Sequence, residues 1–158
     1  MHSNAQLRLR AKARLPRVIF DFVDGGAGSE ESLRRNQSAF EHLALVPRVL
    51  RPCQQRDLST TLLGRHYALP FGVSPMGLCD LAWPGTDRAL AAAAARANIP
   101  YGLSTMASTS IEDIARIAPE HTWFQIYLGG DAATAEQLLQ RAEAAGLRTL
   151  VLTVDANF

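Results

Sequence analysis

Residues 70–77, reading Pro-Phe-Gly-Val-Ser-Pro-Met-Gly, restrict the possible folds of this chain more than any other stretch. A short apolar run, Phe71 and Val73, meets a Pro-x-Gly corner, and a helix-forming segment follows a few residues later. A run so short, bounded by proline and glycine, reads as a buried strand that ends where the backbone turns sharply. Pro75 removes a backbone donor and Gly77 removes a side chain, so a flat ligand could lie against the main chain there. Residues 101–105, 123–127 and 149–155 repeat the plan of apolar run, polar terminus, then helix or chain end. Ser74, Ser104, Gln125 with Tyr127, and Thr153 with Asp155 therefore fall at or near four strand C-termini, which is how a β/α barrel builds a site.

The segments between these strands have helical character. Thr86–Ala97 is Ala-rich, with Thr86 as its expected cap and Asn98 as its C-cap. Ser110 is placed to cap Ile111–Ile117, with Glu112 and Asp113 in the first turn, and residues 131–145 form a third helix ended by Gly146. Connections this short imply parallel neighbours, and near-continuous apolar strands imply that both sheet faces are covered. A closed barrel needs eight such units in at least ~200 residues. The 158 residues hold three units and one more strand. The expected fold is α/β: the N-terminal half of a (β/α)8 barrel over residues 70–158, behind a cap over 1–69, as one domain truncated after the fourth barrel strand.

The cap is expected to contain three helices and a hairpin. Residues 3–13 form the first helix, Leu15-Pro16 starts a second, and Val18, Ile19, Phe22 and Val23 make its buried stripe. Ser29 is the expected N-cap of a third helix through Leu43, buried along Leu33, Phe40 and Leu43. Residues 60–63 and 66–69, turning at Gly64-Arg65, read as a hairpin. The basic run Arg8, Arg10, Lys12, Arg14 and Arg17 reads as a solvated helix face rather than a transit peptide. A formal net charge of +1 gives no argument for a nucleic-acid partner. Hydrophobic residues at 47% with no run near the ~20 apolar residues of a membrane helix give no indication of membrane association. Cys53 and Cys79 are in no metal spacing and suggest a reducing, cytoplasmic setting.

Gln125 and Tyr127 lie two apart and so point to one side of a strand, as do Thr153 and Asp155. A buried Gln125 needs partners for both ends of its amide. A heterocycle's carbonyl and ring N–H would supply them; so would neighbouring strands. Ser104-Thr105 could likewise serve a ligand or a turn. His2, His42, His66 and His121 fall at no expected strand C-terminus, so none is placed as a general base, and no base adjoins Cys79.

Phe20-Asp21-Phe22-Val23-Asp24-Gly25-Gly26-Ala27, Pro75-Met76-Gly77, Leu103-Ser104-Thr105, Trp123-Phe124-Gln125-Ile126-Tyr127 and Leu152-Thr153-Val154-Asp155, in this order, resemble the FMN-dependent 2-hydroxy acid dehydrogenases and oxidases. The resemblance implies FMN as cofactor, a small 2-hydroxy acid as substrate, a 2-oxo acid as product, and homo-oligomers among full-length relatives. It implies that Pro75, Met76 and Gly77 lie against the flavin ring, and that Ser104, Gln125 and Thr153 bond the ring or ribityl chain. Tyr127 and Asp155 become the candidate catalytic residues, with Tyr127 also contacting substrate. Phe22 stands where the family usually has a tyrosine that binds the substrate carboxylate, and Met76 where it commonly has threonine. The tail 156–158 leaves the pattern before the family's catalytic histidine, substrate-binding arginine and phosphate site. The 158 residues alone are thus expected to be inactive, the alternative being a non-catalytic half-barrel or a binding module that works with a partner.

Overall fold

The computed structural model describes residues 3–52, 54–127 and 132–155; His2, Cys53, Asp131 and the tail 156–158, named above, lie outside them. The chain forms two compact units, Met1–Arg56 and Asp57–Phe158.

In the first unit, α1 (Asn4–Arg14) opens with a capping box in which Ser3 and Gln6 each take the other's backbone N–H. Pro16 stands at the N-cap position of α2 (Arg17–Asp24). Arg8 forks onto both carboxylate oxygens of Asp24. With Lys12, Arg8 also lies over the Phe20 ring, 5.7 and 5.9 Å from its centre. Phe20 is therefore the buried residue of α2, while Val18, Phe22 and Val23 are exposed. This corrects the expected stripe: Phe20 lies roughly 200° around the helix from Val18, and α1 packs on the Phe20 side. Ser29 does not cap α3 (Glu31–Ala39). Glu30 holds that position with a left-handed backbone, φ 59°, and its carboxylate accepts the Gly26 N–H at 3.2 Å. Instead of running to Leu43, α3 passes into a 3-10 turn at Phe40–His42. Phe40 and Leu43 are exposed and Leu33 half-buried, because helical periodicity marks an apolar side but burial needs a second surface.

The second unit starts with the hairpin, β1 (Thr60–Leu62) against β2 (Arg65–Tyr67), pairing Thr60 with Tyr67 and Leu62 with Arg65. The turn falls at Leu63-Gly64, one residue before the expected Gly64-Arg65, and Arg65 already belongs to β2: a two-residue turn needs positive φ at both positions, and Leu63 and Gly64 adopt 49° and 76°. A parallel sheet follows in the order β3 (Val73–Met76), β4 (Tyr101–Leu103), β5 (Thr122–Tyr127), β6 (Leu150–Thr153). The crossovers are α4 (Thr86–Ala97), α5 (Ile111–Ile117) and α6 (Ala132–Ala144). The alternation is the expected one, although β3 begins only at Val73 and leaves Phe71 exposed. Ser110 caps α5 by accepting Asp113 N–H, and Asn98 closes α4 in the left-handed region. Thr86 is not the cap of α4: Gly85 is, at φ 80°, and Thr86 is the first helical residue. Its N–H goes to Asp80 Oδ1 at 3.1 Å and its hydroxyl to Trp83 O, so an acid from the preceding loop satisfies the helix end.

Tyr101, Leu103, Phe124 and Ile126 pack one sheet face against Ala91, Ala94, Ile111, Ile114, Ala115 and Ala142 of the helices. Leu150 and Leu152 pair with Phe124 and Ile126 and share that face, yet remain 52% and 48% exposed. The expectation of two covered faces therefore fails at β6, the edge strand of the described sheet. On the opposite, inner face, Gly102, Trp123 and Val151 border an apolar cavity of about 480 Å³ that the hairpin closes with Thr60, Leu62 and Tyr67. Trp123 Nε1 donates to Tyr67 Oη at 3.2 Å, and the two rings meet edge to face. The hairpin thus belongs with the sheet. Among the described residues no helix is long and apolar enough to cross a membrane, and no three His, Cys, Asp or Glu gather as a metal site.

Candidate functional site at the strand ends

β5 sets the geometry. Alternation turns Trp123, Gln125 and Tyr127 to the inner face, and parallel register sets Gln125 beside Val151 and Tyr127 beside Thr153. Gln125 is 3% exposed and bonded at both ends of its amide. Its Oε1 accepts from Ser104 Oγ and from Thr105 N–H, each at 3.1 Å, and its Nε2 donates to Thr153 Oγ1 at 2.8 Å. Thr105 Oγ1 donates to Gln125 O at 2.6 Å. A backbone N–H only donates, so Thr105 determines which end of the amide is oxygen. Of the two readings of Gln125, the strand-to-strand one is what the structure contains. The amide oxygen already has two donors, Ser104 Oγ and Thr105 N–H. One Nε2 hydrogen and the Thr153 hydroxyl hydrogen remain available. Ser104 also serves its turn: its Oγ accepts Met106 N–H and its carbonyl Ala107 N–H, each at 3.0 Å.

Beside this network, residues 75–77 form an open backbone surface. A Cβ on Gly102 would lie 2.6 Å from Pro75 Cδ, and one on Gly77 would lie 2.8 Å from Met106 Cβ. Both glycines are therefore required by close approach, one beneath the Pro75 ring and one against the loop after β4. Leu78 N–H donates to Met106 O at 2.9 Å and locks the two loops together. Ser74, Met76 and Gly77 are exposed, and Pro75 is half-buried. The apolar cavity reaches Ser74 and Pro75 but none of Ser104, Gln125, Tyr127 or Thr153. It lies nearer the hairpin and is barrel interior; the polar chemistry is at the strand ends.

The structure thus brings Pro75, Met76, Gly77, Ser104, Gln125 and Thr153 to one end of the sheet, with Tyr127 on the inner face at the end of β5. Asp155, two residues beyond β6, is exposed. Phe22 is in the first unit, on α2, and 68% exposed. None of the described histidines is at a strand C-terminus. His42 is in the 3-10 turn and His66 in β2, while His121, just before β5, has Nε2 3.0 Å from Asn98 Oδ1 and is driven toward its neutral form by burial. Burial first, then the nearby Asp87 and Asp80 charges, push the Cys79 thiol up, so it is protonated and unreactive at neutral pH.

Asp87 is the residue that sequence reasoning missed. Wholly buried in the first turn of α4, it accepts Ser108 N–H at 2.8 Å, Thr109 N–H at 3.1 Å and the Tyr101 hydroxyl at 3.4 Å. Burial and this carboxylate raise the Tyr101 phenol far above its ordinary range. In sequence Asp87 reads only as an acid favouring a helix dipole, which an exposed carboxylate does equally well.

The model of the family described as FMN-dependent dehydrogenase matches residues 11–158. The chain is 41% identical over 153 residues to an L-lactate dehydrogenase of Xanthobacter autotrophicus, covering 97% of this chain and 39% of that protein. It is 38% identical over 152 residues to 2-hydroxyacid oxidase 2 of Rattus norvegicus, covering 96% and 43%. Among solved structures, a soluble mutant of the membrane-associated (S)-mandelate dehydrogenase from Pseudomonas putida superposes with a TM-score of 0.87 at 37% identity, covering 94% of this chain and 42% of that one. A mandelate oxidase bound to a difluorinated hydroxy acid gives 0.88 at 38% identity, covering 98% and 46%. The chain therefore spans about two-fifths of the length of the curated relatives it matches.

Proposed function

Because this chain belongs to the FMN-dependent dehydrogenase family, we propose that its strand ends supply the flavin-ring side of a site that oxidises a small 2-hydroxy acid to a 2-oxo acid. The observation that carries the reading is the Ser104–Gln125–Thr153 network set beside the bare backbone of residues 75–77. The residues fit a flat heterocycle. Gly77 and Gly102 let the loop after β4 and the Pro75 ring pack closely around residues 75–77, and one hydrogen of buried Gln125 Nε2 and the hydroxyl of half-buried Thr153 are left to donate. Bound there, FMN would supply a two-electron acceptor for the hydrogen leaving the substrate α-carbon, while the hydroxyl proton would pass to a base, a role for which none of the described histidines is placed.

The chain's own residues then divide the work. Gln125 and Thr153 donate to the ring carbonyls, and Ser104 and Thr105 hold Gln125 in place rather than touching the ring. Tyr127 presents its hydroxyl to the substrate oxygen, where charge develops during oxidation. Asp155 adds a carboxylate at the neighbouring strand end. A cytoplasmic setting, and a homo-oligomer for the assembled protein, complete the reading.

Titrating the purified chain with FMN while following flavin fluorescence tests it. Binding is expected to be micromolar or weaker, because the assigned donors address the ring alone, and to be lost in Gln125→Leu and Thr153→Val. Lactate, glycolate and mandelate added anaerobically should leave the flavin oxidised, since no described histidine is placed as a base. No binding at millimolar FMN, or binding indifferent to both substitutions, sinks the reading. Joined to the remaining barrel half of the Xanthobacter relative, Tyr127→Phe should lower kcat while leaving flavin content intact. Equal losses of both would refute its assigned role.

A further inference from the structure

Asp87 holds a wholly buried carboxylate, and a buried charge is costly unless several donors meet it. Tyr101 in β4 and Ser108 and Thr109 in the loop after it donate to Asp87, and Cys79 in the loop after β3 also feels its carboxylate. The loop after β3 is joined to the same assembly. Leu78 N–H donates to Met106 O at 2.9 Å, Asp80 N–H to Ser108 Oγ at 3.4 Å, and Asp80 Oδ1 takes the Thr86 N–H one residue before Asp87. Gly77 is packed against Met106 so closely that a Cβ would not fit. Ser108 is the common point, with its N–H on Asp87 and its hydroxyl on the loop after β3. From there the chain leads back through Met106 and Thr105 to Gln125.

We propose that the loops after β3 and β4 form one rigid platform keyed by Asp87, which makes Asp87 a positioning residue for residues 75–77 and for the Ser104–Gln125–Thr153 donors. Its role toward flavin rests on the function proposed above; its coupling of the two loops does not. Asp87 touches neither ring nor substrate and acts only through the loops it anchors.

Amide hydrogen exchange of the whole chain, read on peptides covering 74–82 and 104–110 with α6 as internal reference, tests the coupling. Asp87→Ala should speed exchange about tenfold or more in both loops and leave α6 unchanged. Asp87→Asn should return both to within about threefold of wild type, because its carbonyl can take the two amides while its NH2 donates to Tyr101 Oη. Acceleration confined to 104–110, equal acceleration in α6, or an Asn variant no better than Ala would each overturn the proposal. Should Asp87→Ala fail to fold, Gly77→Ala probes the coupling from the other loop, and unchanged exchange at 104–110 would overturn it as well. On the same samples FMN affinity should fall about tenfold in Asp87→Ala and recover in Asp87→Asn. Wild-type affinity in Asp87→Ala removes the positioning role. Coupled exchange in a wild type that binds no FMN leaves the platform standing and defeats the flavin reading instead.

Discussion

The two units of this chain are held by different physics. Among the described residues of the first, only Phe20 is buried, and the visible ties are polar and exposed: the Ser3–Gln6 box, the Arg8–Asp24 fork, and Glu30 on Gly26. The second unit packs thirteen buried residues into one cluster between sheet and helices. Every strand-end donor discussed above is in that second unit. Directional chemistry at a site needs side chains whose positions are over-determined by packing, and only the second unit supplies that. The first unit displays apolar side chains instead, with Val46, Val49 and Leu50 exposed.

The sharpest way to break this contrast is to truncate one aromatic in each unit. Phe124→Ala should lower the unfolding free energy by about 3–5 kcal/mol, the usual cost of removing a buried phenylalanine. Phe22→Ala should change it by less than about 0.5 kcal/mol. Urea unfolding followed by circular dichroism measures both, and equal shifts would erase the distinction.

A smaller effect is expected inside the polar network. Gln125→Leu leaves the Thr105 N–H without its side-chain acceptor and the Thr153 hydroxyl without its donor, at about 1–3 kcal/mol. The loss should appear in the same unfolding curves and as faster exchange of the Thr105 amide. A neutral result would mean that packing alone fixes the strand ends.

The smallest effect concerns ion pairs, which both units possess. Arg141 forks onto Glu112 at 2.8 and 2.9 Å and pushes that carboxyl down to about 2 from an ordinary 4.5. In the first unit Arg8 likewise lowers Asp24. A depressed folded-state pKa means stability present above the unfolded value and lost as pH falls toward the folded one. For Glu112 that window runs from 4.5 down to about 2. Both pairs are exposed, so the contribution is slight and screened by salt. Arg141→Met should flatten the acid limb of the stability curve slightly, and less so in high salt. An unaltered acid limb at low salt would show that the pair contributes nothing.

Much of this molecule was legible in its sequence. The alternation of short apolar runs with helices fixed the parallel order of β3 to β6, because connections of that length permit nothing else. The Ser110 cap and the left-handed Asn98 followed from local backbone chemistry, as did a turn at Gly64 to within one residue. The ordered motifs gave the family. Tertiary structure decided which apolar residues are buried and what the polar ones bond to. Phe20 rather than Phe22 is covered because α1 packs on one side of α2, and no periodicity in α2 records that choice. Gln125 has its oxygen filled by Ser104 and Thr105, twenty-one and twenty residues away in sequence. Asp87 is a buried keystone instead of a solvated helix-end acid because Ser108 and Thr109 return to it across the fold. Local propensity sets an element's type and its ends, whereas burial and hydrogen-bond partnership depend on surfaces that meet only when distant segments pack.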